Sequence, residues 1–213
     1  MNYKQSNYSE DYHERGIELG ISGYSNYRWI PELTIPMCHE MINILNIKDD
    51  ETILDFGCAK GYVVKGFRLL HNIAYGVDIS EYAVSCVPNE IKPYIQTIES
   101  GKDIPLQNNE KYDYTIAKDV LEHVPYEYLD SVVSQLRKCT KKLFVAVPLG
   151  ENGKYIIPSY EQDETHHIRE SLDWWQHKFS NAGFTTVYKD YKIKNIKSNW
   201  SKWEKGNGFF ILQ

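Results

Sequence analysis

Residues 53–61 have the sequence Ile-Leu-Asp-Phe-Gly-Cys-Ala-Lys-Gly, and this stretch indicates the architecture of the whole chain. The apolar run at 52–56 predicts a buried strand, and the small residues after it predict a tight turn that opens a helix. Gly57 and Gly61 can adopt positive φ, and Ala59 is small enough to let a ligand approach the backbone. A strand, such a turn and a helix in this order predict a nucleotide-binding α/β protein.

Apolar strand patterns and helical patterns alternate along the rest of the chain. Further strands are predicted at 73–77, 94–98, 112–117, 143–147, 185–188 and 209–212. Helices are predicted after Pro31, after Gly61, at 81–87, around 129–136 and at 171–181. This alternation predicts a doubly wound α/β fold, with a mostly parallel seven-stranded sheet and helices on both faces. Ligands bind such sheets at the carboxyl ends of the strands, where the strand order reverses.

The N-terminal residues differ in character from the rest of the chain. Residues 1–30 are polar and aromatic, and Gly16, Gly20 and Gly23 interrupt any long helix there. We therefore expect a short N-terminal cap or lid over 1–30, followed by a single domain over 31–213. A chain of 213 residues is long enough for one well-packed core and too short for two ordinary domains.

The composition excludes several classes of protein. The formal net charge of -5 gives no broad attraction to nucleic acid or to anionic membranes. No apolar run approaches the ~18 residues of a membrane span, and the polar N-terminus is unlike a signal peptide. The four cysteines are far apart and form no Cys-x-x-Cys pair, so we expect reduced thiols and a cytoplasmic protein.

Two cofactors fit a glycine loop of this type. A dinucleotide fingerprint, Gly-x-Gly-x-x-Gly, needs a small residue at the position that Tyr62 occupies here. The spacing Asp-x-Gly-x-Ala-x-Gly over 55–61 instead resembles the first motif of the class I S-adenosylmethionine-dependent methyltransferases. The resemblance continues at Asp78, which ends the second predicted strand, and at 118–124, Lys-Asp-Val-Leu-Glu-His-Val, after the fourth.

This resemblance implies S-adenosyl-L-methionine as the cofactor. The loop would wrap its methionine part, with Asp55 near the amino group and Arg28 pairing with the carboxylate. Asp78 would accept hydrogen bonds from the ribose hydroxyls. The family often has an acid near the adenine where the chain here has Ser100, so Ser100, Gly101 or a backbone amide is left to make that contact. The expected cofactor site consists of Asp55, Gly57, Cys58, Ala59, Gly61, Asp78, Ile79, Ser100, Lys118 and Arg28.

Methyl transfer to a hydroxyl needs a group that removes the hydroxyl proton, and a positioned general base contributes ~10²–10⁴-fold. His123 and Asp119 follow the fourth predicted strand, where the methyl group is expected. His166 and His167 belong to the stretch Asp-Glu-Thr-His-His-Ile, which resembles a segment that covers the acceptor in small-molecule methyltransferases. These four residues are the catalytic candidates.

A divalent metal is a second way to activate a hydroxyl. Asp163, Glu164, His166 and His167 are residue types that bind metals. Such enzymes usually draw their ligands from separate strand ends, however, and adjacent histidines rarely chelate one ion well. We therefore expect no metal at this stretch.

The sequence indicates the chemical class of the methyl acceptor. The acidic charge, the compact size and the polar loop at 149–167 favour a small hydroxylated metabolite, such as a sugar or a nucleotide-linked sugar, and O-methylation over N-methylation. The alternative is an RNA or protein methyltransferase that uses the lysine-rich and tryptophan-rich region at 192–205. We expect a small-molecule partner, neither membrane nor nucleic acid, and a monomer or a homodimer.

Overall fold

The computed structural model describes residues 7–101 and 103–213 and contains a seven-stranded sheet. Its strands are β1 Thr52–Phe56, β2 Ile73–Asp78, β3 Ile95–Thr97, β4 Tyr112–Lys118, β5 Thr140–Pro148, β8 Thr186–Asp190 and β9 Asn207–Leu212, while β6 Gly150–Glu151 and β7 Lys154–Tyr155 form a separate hairpin. The strand order is β3-β2-β1-β4-β5-β9-β8. Strands β1 to β5 run parallel, and β9 is antiparallel to both β5 and β8. The predicted, mostly parallel sheet is confirmed.

Helices cover both faces of this sheet. They are α1 Glu10–Glu14, α2 Gly16–Leu19, α3 Pro31–Leu45, α4 Tyr62–Leu69, α5 Glu81–Ser85, α6 Tyr126–Cys139 and α7 Leu172–Asn181. Met41 of α3 and Phe67 of α4 share a buried core with Ile53. Trp175 of α7 belongs to a second core that contains Leu54. Because successive strand residues point to opposite faces, these two neighbours in β1 contribute to different cores, and the doubly wound fold is confirmed.

Local sequence signals account for the helix ends. Pro31 is the first residue of α3, and Asn46 ends that helix in the left-handed conformation with φ 57°. The Ser171 side chain accepts a hydrogen bond of 3.2 Å from the Trp174 amide and so caps α7. In the described part of the chain, no helix is both long and apolar enough to cross a membrane.

Two segments have more regular structure than the sequence predicts. Residues 7–30 contain the short helices α1 and α2, while residues 1–6 of the expected cap lie outside the described residues. The loop predicted at 149–167 contains the hairpin of β6 and β7. Its turn is Asn152-Gly153, with φ of 52° and 75°, a dipeptide that favours tight hairpin turns.

The sheet topology fixes where a ligand binds. From β1 the chain winds outward through β2 and β3, and from β4 it winds the other way through β5. The strand order therefore reverses between β1 and β4, which are hydrogen-bonded neighbours. The crevice outside their carboxyl ends is the expected binding position in such a sheet.

Candidate active site

Two glycines in the loop after β1 occupy backbone positions that tolerate little else. Gly57 has φ 79°, and a Cβ atom there would lie 2.4 Å from Cγ2 of Val120. Gly61 has φ 73°, and a Cβ atom there would lie 2.1 Å from Cδ1 of Ile95. Ala59 between them also has a positive φ, 47°, which a residue with a Cβ adopts only at some cost. The loop therefore requires small residues where the sequence has them.

The amides of this loop are largely used within the protein. The amides of Gly57 and Cys58 donate hydrogen bonds of 2.9 and 3.0 Å to the Val77 carbonyl at the end of β2. The Ala59 amide donates one of 2.7 Å to Asp78, and the Gly61 amide donates to the Cys58 carbonyl at 2.8 Å. These bonds join the loop to the end of β2. A ligand carboxylate needs donors other than these four amides.

The Asp78 carboxylate is held in place by hydrogen bonds and can still accept more of them. One carboxylate oxygen accepts from the Ala59 amide and the other accepts from the Ser80 amide, each at 2.7 Å. Burial raises the pKa of Asp78, although the two amide hydrogen bonds oppose that shift. Each carboxylate oxygen has two lone pairs, so the group can still accept hydrogen bonds from a pair of hydroxyls.

A first cavity of about 600 Å³ opens at the carboxyl ends of β1, β2 and β4. Four predicted cofactor residues line it: Gly57, Ala59, Asp78 and Ile79. Apolar side chains of Phe56, Val77, Ile98 and Val120 and aromatic residues of the N-terminal segment, Tyr8, Tyr12, His13 and Tyr24, complete most of its wall. The cavity is thus polar at Asp78 and apolar beside it, a combination typical of small-molecule sites.

Other predicted cofactor residues lie around this cavity rather than in its wall. Cys58 is buried, with its thiol against Gly76, and contributes packing. Strand β3 ends at Thr97, three residues before Ser100, and Ile98 rather than Ser100 lines the cavity. The Ser100 hydroxyl donates a hydrogen bond of 3.0 Å to Asp103.

Arg28 and Lys118 line a neighbouring cleft that also contains Tyr24, Tyr62 and Asp119. Arg28 is exposed there. Asp55 is only 4% exposed, beside Lys118. Burial raises the pKa of Asp55 to about 7, in spite of the opposing effect of the Lys118 ammonium group.

A second cavity of about 870 Å³ adjoins the first. The two share Tyr24, Asp119 and His123. The second cavity is also lined by Glu122, Ser159, Tyr160, Gln162, Asp163, His166, Lys197 and Trp200. The structure therefore brings two of the predicted catalytic histidines, His123 and His166, to one chamber beside the first cavity.

Asp119 is an ion-paired carboxylate between the two cavities. Its oxygens accept hydrogen bonds from the ammonium groups of Lys118, at 2.5 Å, and Lys197. Burial would raise the pKa of Asp119, but these two ammonium groups hold it well below its usual value. A carboxylate stabilised in this way is a weak base, so the arrangement favours a positioning role over proton removal.

Glu122, His123 and His166 form a buried cluster at the wall of the second cavity. The His166 Nδ1 atom lies 2.9 Å from the Tyr160 carbonyl, which can only accept, so Nδ1 carries the proton. The Thr165 hydroxyl donates to Asp163 at 2.5 Å and therefore accepts from His123 Nδ1 at 2.7 Å. Both imidazoles thus present an Nε2 atom with a free lone pair.

Burial determines the charge of this cluster. It lowers the pKa of His166 and lowers that of His123 to about 3, with the neighbouring His166 adding to the effect on His123. Both histidines are therefore neutral near pH 7. Burial and the nearby Asp119 raise the pKa of Glu122 to about 8, and its Oε2 atom has no hydrogen-bond partner within the described residues.

His167 does not join this chamber. It lines a separate surface cavity with Tyr126, Arg169 and Glu170. Its backbone amide donates a hydrogen bond of 2.8 Å to the Glu122 carbonyl. Adjacent residues in an extended segment point to opposite sides, so only one of the two sequential histidines reaches the second cavity.

A family model described as a methyltransferase domain matches residues 35–196, which is most of the chain. The chain belongs to this methyltransferase family. As a class I methyltransferase, it uses S-adenosyl-L-methionine as its cofactor. No curated protein sequence matches the chain.

Solved structures with a similar fold include other methyltransferases. An S-adenosylmethionine-dependent methyltransferase from Clostridium acetobutylicum has a TM-score of 0.63 at 10% identity, over 86% of this chain and 92% of the other. One from Archaeoglobus fulgidus has a TM-score of 0.61 at 15% identity, over 86% and 94%. Magnesium protoporphyrin IX methyltransferase from Synechocystis, with bound SAH, has a TM-score of 0.61 at 14% identity, over 98% and 91%. At these identities the likeness concerns the fold.

The first cavity of the methyltransferase suits its cofactor on chemical grounds. A ribose can use the acceptor capacity of Asp78, and an adenine ring can pack between the apolar side chains of Ile79 and Ile98. At Gly57 a Cβ atom would collide with Val120, so the glycine lets the loop pack closely against this side chain of the cavity wall. The bound cofactor supplies an already activated methyl group, so the protein mainly has to position the acceptor.

Several residues of the methyltransferase site were not singled out from its sequence. Tyr8, Tyr12 and His13 line the first cavity from the N-terminal segment. Lys197 lies in the lysine-rich region, but its side chain is only 4% exposed and pairs with Asp119. Glu122 lies inside the motif stretch 118–124, where a carboxylate beside His123 was a visible signal.

Proposed function

We propose that the methyltransferase transfers its methyl group to a hydroxyl of a small polar metabolite, such as a sugar or a nucleotide-linked sugar, bound in the second cavity. This cavity adjoins the first through Tyr24, Asp119 and His123, so an acceptor there would lie beside the cofactor. Its wall combines aromatic surfaces of Tyr160 and Trp200 with several polar groups. Such a mixture suits a ligand with many hydroxyls.

The observation that carries the proposal is the state of the two buried imidazoles. His123 and His166 direct their Nδ1–H groups to oxygen acceptors, which leaves each Nε2 lone pair free beside the second cavity. A hydroxyl acceptor must lose its proton during methyl transfer, and a neutral imidazole can take it. His123, with its pKa lowered to about 3, is a weak base, so we assign this role to His166. An amine acceptor depends less on such a proton acceptor, so this feature favours O-methylation over N-methylation.

In this proposal the cofactor contacts follow the motif residues. Asp78 accepts hydrogen bonds from the ribose hydroxyls, the buried Asp55 faces the amino group, and Arg28 pairs with the carboxylate. Residues 7–30 act as a lid on the domain at 31–213, because Tyr8, Tyr12 and Tyr24 line the first cavity. If Arg28→Ala left the dissociation constant of S-adenosylhomocysteine unchanged, the carboxylate contact would be wrong.

A macromolecular acceptor has weaker support. Lys197 is turned inward to Asp119, and the Lys189 ammonium group pairs with Asp173. Lys192, Lys194, Lys202 and Lys205 are exposed. An RNA acceptor would depend on those exposed lysines, which can be tested by changing them to glutamate.

The test is a transfer assay with S-adenosylmethionine that carries a labelled methyl group. The acceptors are nucleotide-linked sugars, free sugars, RNA and a protein extract, and mass spectrometry with NMR locates the label on oxygen or nitrogen. His166→Asn, which keeps a donor near the Nδ1 position, should lower kcat/KM by about 10²-fold or more. His177→Ala, on the exposed surface of α7, is the matched control. Label found only on nitrogen or only in macromolecules would refute the proposal.

A further inference from the structure

The buried cluster of Glu122, His123 and His166 has the composition of a metal site. Two imidazole nitrogens and one carboxylate form the ligand set of several catalytic zinc and non-haem iron sites. Within the described residues, one ligand atom from each of these three side chains lies within 4.8 Å of the other two. The sequence offered no good metal site, because adjacent histidines such as His166 and His167 rarely bind one ion. In the fold, His166 lies instead beside Glu122 and His123, while His167 lines a separate cavity.

The surrounding hydrogen bonds orient both histidines as ligands. Metal-bound histidines usually donate the other ring N–H to a carbonyl, a hydroxyl or a carboxylate, which fixes the ring and the tautomer. His166 donates Nδ1–H to the Tyr160 carbonyl, and His123 donates Nδ1–H to Thr165. Thr165 is fixed in turn by Asp163. Both Nε2 atoms are therefore available to a cation.

Glu122 provides the independent observation. It is 1% exposed, and its Oε2 atom is buried without a hydrogen-bond partner among the described residues. Buried polar atoms in native proteins are nearly always satisfied, so an unsatisfied carboxylate oxygen on a side chain that clusters with two imidazoles indicates an absent partner. Imidazole lone pairs and a carboxylate oxygen all accept, and a cation satisfies the three together.

The geometry requires only a small adjustment. A tetrahedral ion with bonds of about 2.0–2.2 Å holds its ligand atoms about 3.4 Å apart. The ligand atoms of the cluster, all within 4.8 Å of one another, reach that separation through movements of about 1 Å, which side-chain rotation supplies.

The charges nearby also allow a cation. Lys197 lines the same cavity, but its ammonium group and that of Lys118 are both paired with Asp119. The Asp163 carboxylate has one oxygen 3.9 Å from His166 Nε2. The carboxylates of Asp119 and Asp163 thus balance the two ammonium groups around the cluster.

We propose that Glu122, His123 and His166 bind one divalent first-row transition cation, such as Zn²⁺, with an open coordination position toward the second cavity. The proposal rests on the proposed function, because the acceptor hydroxyl would fill that open position. A hydroxyl oxygen bound to such a cation releases its proton to water at a lower pH than a free hydroxyl does. The two histidines then act as ligands rather than as the proton acceptors themselves.

The test measures cation binding to the tag-free chain, independently of methyl transfer. The chain is treated with a chelator, freed of it, and titrated with Co²⁺ by calorimetry and visible absorption, and then with Zn²⁺ in competition. We expect one Co²⁺ per chain, with absorption bands typical of four or five ligands that Zn²⁺ abolishes. Failure to bind either ion with one-to-one stoichiometry would overturn the proposal.

Variants locate the site. Glu122→Gln, His123→Asn and His166→Asn each remove a ligand atom with little change in volume, and each should weaken Co²⁺ binding by at least about 10-fold. Thr165→Val leaves the three ligands and removes the positioning hydroxyl, and should weaken binding by about 10–100-fold. His177→Ala, an exposed histidine, should bind as the unmodified chain does. Undiminished Co²⁺ binding in the three ligand variants would place the ion elsewhere and refute the proposal.

Two further measurements distinguish failure of the metal site from failure of the proposed function. Circular dichroism of each variant shows whether it has folded. S-adenosylhomocysteine binding by the Glu122 and His166 variants, whose side chains do not line the first cavity, shows that the cofactor site is intact. If Co²⁺ binds at the cluster but no hydroxyl acceptor is methylated, the metal site stands and the proposed function fails. If a hydroxyl is methylated at full rate by a chain that binds no cation, the function stands and the metal site fails.

Discussion

The Tyr12 hydroxyl donates a hydrogen bond of 2.8 Å to Asp163, a residue 151 positions further along the chain. This bond joins the N-terminal segment to the segment that carries His166. Asp163 also accepts from Thr165, which holds His123. Tyr12, in the wall of the first cavity, is thus joined to His123 by a chain of three hydrogen bonds.

Tyr12→Phe should therefore affect both stability and catalysis. It deletes one partner of the buried Asp163 carboxylate, which should lower the free energy of unfolding by about 1–3 kcal/mol. It should also lower kcat/KM for the acceptor more than it weakens S-adenosylhomocysteine binding. The control is Tyr188→Phe, which removes a 3.1 Å hydrogen bond to Asp190 on the exposed edge strand. Equal effects of the two changes in urea unfolding would contradict the special role of the Tyr12 bond.

Asp78→Asn should weaken binding of the cofactor. The change removes the charge that the ribose hydroxyls would donate to and disturbs the hydrogen bond from the Ala59 amide. A hydrogen bond to a charged group contributes about 1.5–3 kcal/mol, so the dissociation constant of S-adenosylhomocysteine should rise by roughly 10- to 150-fold in calorimetry. Asp173→Asn, at a carboxylate on the surface of α7, should leave it unchanged.

Gly57→Ala should show how closely the loop after β1 packs against Val120. The added Cβ would lie 2.4 Å from Val120 and would require an alanine at φ 79°. Gly153 in the hairpin turn also has a positive φ, 75°, but a Cβ added there would meet open space, with no atom beyond its chain neighbours within 4 Å. Gly153→Ala therefore measures the backbone cost alone, about 1–3 kcal/mol. Gly57→Ala should lose more stability than that and should also lose cofactor affinity, and a smaller loss would contradict the close approach.

The pKa of Asp55 makes cofactor affinity depend on pH. With a pKa of about 7, Asp55 is largely protonated at pH 6 and largely ionised at pH 8. If it faces the cofactor ammonium group, affinity for S-adenosylhomocysteine should rise as the pH increases across this interval. Asp55→Asn should bind more weakly at pH 8 and lose this part of the pH dependence. An identical pH profile in the variant would exclude the contact.

The same pKa has a consequence for stability with a definite sign. The folded protein holds the Asp55 proton up to about pH 7, whereas an unfolded aspartate loses it near its ordinary value of 3.8. The folded state therefore binds more protons between these values, and the Asp55 contribution to stability falls as the pH rises through this range. Asp55→Asn should accordingly raise the melting temperature more at pH 8 than at pH 5. Melting curves at the two pH values provide the measurement.

Lys197→Gln should test the ion pair between the two cavities. The Lys197 side chain is buried against Asp119, so its removal leaves that carboxylate with Lys118 alone. Because the Asp119 side chain is 24% exposed and keeps Lys118, the loss should be about 1–3 kcal/mol, which chemical unfolding can detect. Lys194→Gln, in the same segment but exposed, should change the stability by less than about 0.5 kcal/mol. Similar losses in both variants would contradict the buried position of Lys197.

Local patterns predicted most of the fold because they depend on neighbouring residues. The strand at 52–56 follows from apolar periodicity and has the predicted bounds, and the helix predicted after Pro31 extends over 31–45. The hairpin at 150–155 was missed although Asn152-Gly153 is a strong turn signal. It was overlooked because its strands have two residues each and show no alternation.

The site was less predictable because its parts meet only through long-range contacts. The sequence could not show that Tyr12 reaches Asp163 or that Lys197 reaches Asp119, since these pairs lie far apart along the chain. It could not choose between His166 and His167, because a shift of one residue in an extended segment exchanges the side that faces the cavity. Ser100 was placed by counting along the chain, and the early end of β3 moves Ile98 to the cavity wall instead.

The N-terminal segment forms part of the wall of both cavities, and hydrogen bonds and an ion pair hold it to the residues around each of them. The Ser80 hydroxyl donates to the Tyr8 carbonyl at 2.6 Å, Lys60 pairs with Glu14, and Tyr12 bonds to Asp163. If this segment opens as a lid to release the spent cofactor, its movement also changes the wall of the acceptor cavity. We expect turnover to be paced by the opening of this segment, so kcat should fall as solvent viscosity rises.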